Sequence, residues 1–242
     1  MNLVIDIGNT RIKLALFNEQ DLMFNVPLDY LEPAQLQMLK DEHPQLDRAI
    51  LSAGKEYPGE IKAFLKSNFR QFIEFDHQTP VPVKNCYRTP ETLGFDRLAA
   101  AIGAWELFPG QNLLIIDAGT AVTYDIVNEK NEYLGGNISP GLEMRFRALN
   151  HFTEKLPLIL PDDRFETPGM DTPMAIRSGV QLGLIFEIEQ YTEYFSKIYK
   201  NLRVIMTGGD AKFFDKKLKN SIFVHFNLGL IGLNRVLEYN NR

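Results

Sequence analysis

The sequence predicts an α/β protein built as two similar halves, and three observations carry that prediction. The first is the opening, MNLVIDIGNTRIKLALFNEQ. An apolar run at Leu3 to Ile5 leads into Asp6-Ile7-Gly8-Asn9-Thr10, and after it Ile12, Leu14 and Leu16 fall two apart. That pattern reads as strand, turn, strand. The second is recurrence: Leu113 to Ile116, then Asp117-Ala118-Gly119-Thr120, then alternation from Ala121 to Val127. One plan met again at the start of a second half is the trace of an internal duplication. The third is helical spacing between these landmarks, around 31 to 42, 58 to 70, Phe95 to Leu107 and Ala175 to Lys200. The boundary is placed near Gly110, giving residues 1–110 and 111–242 as the two domains.

Each element has its own reason. The first turn supplies a carboxylate, small polar donors and a glycine that lets backbone approach a ligand, which is how proteins hold phosphate. In a P-loop or dinucleotide fold a helix would follow; here a second strand does. The same residues also satisfy the geometry of a plain glycine hairpin. Lys13 on the return arm either places positive charge near a phosphate or is a solvated strand lysine. A strand at Val204 to Met206 ends in Thr207-Gly208-Gly209-Asp210-Ala211, where paired glycines let a flat ring lie on backbone. Two phosphate loops and one nucleoside loop make an ATP cleft. Gly94-Phe95-Asp96-Arg97 opens an apolar helical run. Asp96 is there either as a helix-start acid favoured by the macrodipole or as a proton acceptor. The stripe Ile176, Val180, Leu184, Ile188, Tyr191 and Phe195 reads as core or subunit contact. Residues 150–174, rich in Pro, Asp and Thr, read as an irregular excursion of the kind that often carries function.

Composition narrows the function classes. The 242 residues are 45% hydrophobic and 24% charged, ordinary for a globular chain with a real core. A net charge of −5 gives no electrostatic footprint for nucleic acid. Cys86 is the lone cysteine and the four histidines are scattered, which excludes an intramolecular disulfide and a cysteine-rich zinc site. No apolar run approaches the ~18 residues of a membrane span, and the first strand begins at Met1 with no room for a signal peptide. The expectation is a cytoplasmic protein acting on small molecules, without membrane or nucleic-acid partners.

The motifs together resemble a known superfamily, that of actin, heat-shock chaperone ATPases and sugar and acetate kinases, in which two ribonuclease-H-like domains with mixed sheets flanked by helices close on ATP. Within it the chain resembles the type III pantothenate kinases. The match is carried by DIGNTRIK at Asp6 to Lys13, YRTPETLGFDR at Tyr87 to Arg97, DAGTA at Asp117 to Ala121, GGNISPG at Gly135 to Gly141, DTPMAIRSG at Asp171 to Gly179 and TGGDA at Thr207 to Ala211. These span nearly the whole chain in the family's order.

The resemblance implies ATP-dependent phosphorylation of pantothenate to 4'-phosphopantothenate, the first step of coenzyme A biosynthesis. It implies that Asp6 holds Mg²⁺ or another divalent cation, directly or through water. Asp6, Ile7, Gly8, Asn9, Thr10, Arg11, Ile12 and Lys13, with Thr120, would bind ATP. Asp96 would be the general base, and Tyr87, Gly94, Phe95, Asp96 and Arg97 would line the pantothenate pocket. Phe95 is larger than the residue the resemblance leads one to expect. Asp117 would help hold a monovalent cation, K⁺ or NH₄⁺. Thr172 is either an ordinary loop threonine or, by resemblance, a residue that closes the pocket from the neighbouring subunit of a homodimer. The alternatives are another small-molecule kinase of the same superfamily, against which the Tyr87 to Arg97 segment argues, and a nucleotide-binding regulator, against which the presence of Asp96 and the lack of a basic arm argue.

Overall fold

The computed structural model describes residues 1–219 and 222–241. In chain order the elements are β1 (Asn2–Ile7), β2 (Ile12–Asn18), β3 (Asp21–Leu28), α1 (Pro33–Glu42), β4 (Arg48–Ala53), α2 (Gly59–Asn68), β5 (Gln71–Glu74), β6 (Lys84–Asn85) and α3 (Phe95–Leu107). They continue with β7 (Leu113–Ala118), β8 (Ala121–Val127), β9 (Glu132–Pro140), α4 (Leu142–His151), α5 (Thr172–Ile198), β10 (Arg203–Thr207), α6 (Ala211–Phe214), β11 (Phe223–Val224) and α7 (Leu228–Tyr239).

The chain forms two compact units. The first holds Met1–Pro109, Asn131–Tyr133 and the chain from Asn227 on; the second holds Gly110–Lys130 and Leu134–Phe226. In the first, the strand order is β3-β2-β1-β4-β5, with β1 antiparallel to β2 and parallel to β4. In the second it is β9-β8-β7-β10-β11, with β7 antiparallel to β8 and parallel to β10. Strand for strand the two orders coincide, so the duplicated hairpins of the sequence grow into duplicated mixed sheets. β6 pairs with Glu132 and Tyr133, the start of β9, which are counted with the first unit.

Burial explains why these residues form these strands. β1 and β7 have the same pattern, buried up to a half-buried aspartate, Asp6 or Asp117, one residue before the last. The first core gathers Leu3, Ile5, Leu14, Leu16, Leu36 and Leu65. The second gathers Ile116, Tyr124, Phe146, Leu184, Ile188 and Met206.

The structure departs from the sequence reading in three places. The expected C-terminal domain ran to residue 242, whereas α7 packs with the first unit; its Leu228, Leu230, Leu233, Val236 and Leu237 are buried, an apolar face the strand-based reading did not weigh. The long helix starts at Thr172 rather than Ala175, because Asp171 caps it by accepting a hydrogen bond of 2.7 Å from the Met174 N–H and Pro173 sits in its first turn. Thr172 is therefore the first helical residue and not part of the loop. The stripe Ile176, Val180, Leu184 and Ile188 lies buried in the core of its own unit, with Tyr191 and Phe195 packed against it, so that face is not a subunit contact.

Candidate active site

The register of the first hairpin sets the site. β1 and β2 pair with Asp6 opposite Lys13 and Ile7 opposite Ile12, which makes the carboxylate and the ammonium cross-strand neighbours while Ile7 and Ile12 are buried. The turn between them is closed by a hydrogen bond of 3.1 Å from the Gly8 N–H to the Arg11 carbonyl. A Cβ on Gly8 would stand 3.2 Å from that same oxygen, so the turn tolerates little more than hydrogen there. Asn9, Thr10 and Arg11 are exposed on the turn.

Sequence reasoning missed Lys55. β4 runs parallel to β1 with Ala53 opposite Ile7, and the Gly54 N–H donates to the Ile7 carbonyl at 2.9 Å. Lys55 then reaches the Asn9 carbonyl with its Nζ at 3.2 Å, bringing a second cation to the turn. The available signal was topological: parallel neighbours end at the same edge, where α/β sheets bind ligands.

Asp6 is a strongly perturbed carboxyl of this unit. Burial pushes its carboxyl up to about 6; the charge of Lys13 works against this, and the Asp96 carboxylate adds to it. Asp6, Lys13 and Asp96 thus share one electrostatic neighbourhood although Asp96 comes from α3. Asp96 is exposed and turned back over its own helix start, where its Oδ1 accepts a hydrogen bond of 2.8 Å from the Arg97 N–H. A Cβ on Gly94 would come within 2.6 Å of that Oδ1. That oxygen is a side-chain tip, so a larger residue at 94 would make the carboxylate swing from this position.

Beside it, the guanidinium of buried Arg97 lies 5.7 Å from the centre of the Tyr87 ring, and Tyr87 in turn stands 6.3 Å from Tyr133. Phe95 packs on Phe75 at 5.6 Å between ring centres, which accommodates its bulk against a neighbouring aromatic.

The second unit repeats the design with different side chains. Asp117 faces Thr123 across its hairpin, and the two-residue turn Gly119-Thr120 is closed by the Gly119 N–H on the Ala121 carbonyl at 3.0 Å. Thr120 is exposed, and its carbonyl accepts from the Gly141 N–H at 3.1 Å. Gly141 of GGNISPG and Gly208 of TGGDA are packing requirements around this turn. A Cβ on Gly141 would fall 2.1 Å from the Gly119 carbonyl oxygen, and one on Gly208 would fall 2.3 Å from that of Ala118 and 2.5 Å from Asp117 Oδ1. Gly208 also has φ of 96°, a left-handed backbone that favours glycine. Asp210 is pushed up by burial and then by Glu143. Thr172 is exposed at the head of α5.

Among the described residues no three His, Cys, Asp or Glu side chains converge as a metal cluster. A single half-buried carboxylate beside a phosphate-type turn suits a hard divalent ion that keeps most of its shell as water and phosphate oxygens. Asp6 fits that role.

The two mixed sheets of identical strand order, each with an acid-glycine turn at its edge, define the class: an actin-like ATPase and sugar-kinase fold. A solved glucokinase from an Antarctic psychrotroph shares this fold, with a TM-score of 0.55 at 12% identity over 99% of both chains. The pattern of the type III pantothenate kinase family matches residues 2–194. A type III pantothenate kinase of Phocaeicola vulgatus is 46% identical over 100% of both chains, and one of Bacteroides fragilis is 44% identical over 100% of this chain and 99% of its own. The chain belongs to the type III pantothenate kinase family.

The raised Asp6 carboxyl has a measurable consequence without nucleotide or divalent ion. Its folded pKa of about 6 lies above the ordinary aspartate value of 3.8, so folding disfavours its charge. The group's contribution to stability is highest below about pH 4 and falls as pH rises through 6. Asp6→Asn removes that cost. Denaturant unfolding is predicted to find the variant more stable than the parent by about 3 kcal/mol at most at pH 7.5, with the gap narrowing at pH 5. A gap that is constant with pH, or reversed, would contradict the assignment.

Proposed function

We propose that this protein transfers the γ-phosphoryl group of ATP to the primary hydroxyl of pantothenate, giving 4'-phosphopantothenate at the first step of coenzyme A biosynthesis. The observation that carries the reading is the convergence of Asp6, Lys13 and Asp96 in one electrostatic neighbourhood, within a chain of this family. Phosphoryl transfer asks mainly for positioning and for charge placed against the equatorial phosphate oxygens.

The residues divide the work accordingly. Backbone and hydroxyl donors of Gly8, Asn9 and Thr10 hold phosphate oxygens, Thr120 adds a contact from the second loop, and Lys13 and Lys55 supply positive charge. Asp6 would hold a divalent cation such as Mg²⁺, which would supply neutralisation of phosphate charge. Tyr87 and Arg97 orient pantothenate, and Gly94 and Phe95 shape its pocket. Asp96 accepts the hydroxyl proton as the oxygen attacks phosphorus and the bond to ADP breaks. Composition supports a cytoplasmic location, and among the described residues no helix is long and apolar enough to cross a membrane.

Asp96→Asn keeps the shape of the side chain but cannot take the proton. Turnover in a coupled assay with pantothenate should fall about 10²-fold or more while ATP still binds; turnover within a few-fold of the parent would remove Asp96 as base. The same assay run with sugars, acetate and polyphosphate as acceptors separates this reading from that of a relative with another substrate, and no acceptor-dependent turnover at all would favour a regulator.

A monovalent cation belongs to the proposal through Asp117. Its half-buried carboxylate faces Gly208 at a spot that a Cβ would fill, which supports a small oxygen-lined cradle. K⁺ or NH₄⁺ bound there supplies fixed positive charge beside the second phosphate loop. Activity should rise steeply when Na⁺ is exchanged for K⁺ or NH₄⁺, and Asp117→Asn should blunt the rise; equal activity in Na⁺ alone would count against it.

The working unit is proposed to be a homodimer in which Thr172 closes the partner's pantothenate pocket. Support comes from the outer face of α5, where Gly179 and Gly183 would carry a Cβ in open space while Phe186 and Tyr194 are 54% and 61% exposed. Small residues beside bare aromatics suit a close helix contact. Phe186→Glu should shift the protein from dimer to monomer in sedimentation and lower activity; a parent that sediments as a monomer would end the idea.

A further inference from the structure

Asp6 ends a strand and Asp96 opens a helix of the same unit, so the packing of those two elements sets their spacing. We propose that α7 governs that packing, and that Gly232 is a positioning residue which fixes the helix bearing Asp96 against the strand bearing Asp6. The inference rests on Asp96 being the base.

The helices α3 and α7 touch backbone to backbone at two points one turn apart. A Cβ on Gly232 would lie 1.8 Å from the Ala99 carbonyl oxygen and 2.9 Å from the Gly103 nitrogen; one on Gly103 would lie 2.0 Å from the Leu228 carbonyl oxygen. Neither partner is a side-chain tip that could swing away. Near its C-terminal end α7 is bonded to the sheet. Asn2 Nδ2 donates to Asn234 Oδ1 at 2.7 Å and to Glu238 Oε1 at 2.6 Å, and Arg48 Nη2 donates to Glu238 Oε1 at 2.8 Å. Asn234 Nδ2 also donates to the Glu19 carbonyl at 2.8 Å, and Arg235 pairs with Glu106 in the last turn of α3 at 2.9 Å.

One element therefore grips both carriers. Asn2 begins β1, the strand that ends with Asp6 and Ile7, while Ala99 and Gly103 lie one and two turns along α3 from Asp96. Glycine weakens a helix interior relative to alanine, and α7 places one at the tightest point of this crossing. A methyl group on Gly232 requires the helices to part by about 1 Å or more, and a shift of that size at a catalytic group can cost about 10²-fold in rate.

The test compares Gly232→Ala with Gly229→Ala, whose Cβ would meet nothing within 4 Å. Phosphoryl transfer to pantothenate is followed for kcat and for KM of ATP, with thermal melts to show folding. Gly232→Ala should lose about tenfold to 10²-fold in kcat with KM for ATP within about twofold, and Gly229→Ala should keep the parent's kcat. A folded Gly232→Ala with kcat within about twofold of the parent, or one whose kcat falls only together with a rise in KM for ATP, would overturn the inference. Should Gly232→Ala fail to fold, Asn2→Ala removes both side-chain bonds from β1 to α7 and leaves the crossing intact. A kcat loss of about fivefold or more at constant KM for ATP supports the positioning role, and an unchanged kcat removes it. Activity in Asp96→Asn would instead sink the base assignment; an inactive Asp96→Asn beside an active Gly232→Ala sinks only the inference about α7.

Discussion

Two carboxylates of like charge, Asp6 and Asp96, are held in one neighbourhood by elements that could not otherwise be expected to meet. Burial is the main reason the Asp6 carboxyl sits at about 6 rather than in the ordinary carboxylate range, and the like charge of Asp96 adds to it. The strain is borne by packing: a buried strand fixes one acid, a close-packed helix fixes the other, and Lys13 across the hairpin takes up part of the charge. Positive ligands or phosphate-bound cations relieve it. Structure and proposed chemistry are joined at this point, because a phosphoryl-transfer site needs a carboxylate for the metal and another for the proton.

Duplication explains how the fold supplies the rest. The same strand order in both units delivers an acid-glycine turn to the edge of each sheet. The copies differ in build: the first turn spans Gly8 to Arg11 and is backed by lysines, while the second is the short Gly119-Thr120 turn on which Gly141 and Gly208 press directly. Bare backbone at these contacts accounts for Gly141 and Gly208 without any appeal to flexibility.

Much of this was legible in the residues. The hairpins were readable because the period of two survives in Ile12, Leu14 and Leu16 and again after Thr120, and α3 because its apolar run begins cleanly after Gly94. What was not legible depends on contacts between distant segments. Lys55 has no local signature and becomes relevant only because β4 lies parallel to β1. The return of α7 to the first unit rests on Gly103 meeting Leu228 and Gly232, a shape match that neither segment announces alone. The stripe on α5 was equally compatible with core or interface, since burial in a unit's own core and burial against a partner leave the same apolar spacing.

The most direct measurement of the central constraint is a site-resolved titration of the Asp6 carboxyl by carbon-detected magnetic resonance, without nucleotide or divalent ion, in the parent and in Asp96→Asn. The account predicts that Asp6 titrates near pH 6 in the parent and at a lower pH once the charge at position 96 is gone. An Asp6 that titrates in the ordinary carboxylate range, or one indifferent to the loss of Asp96, would contradict it.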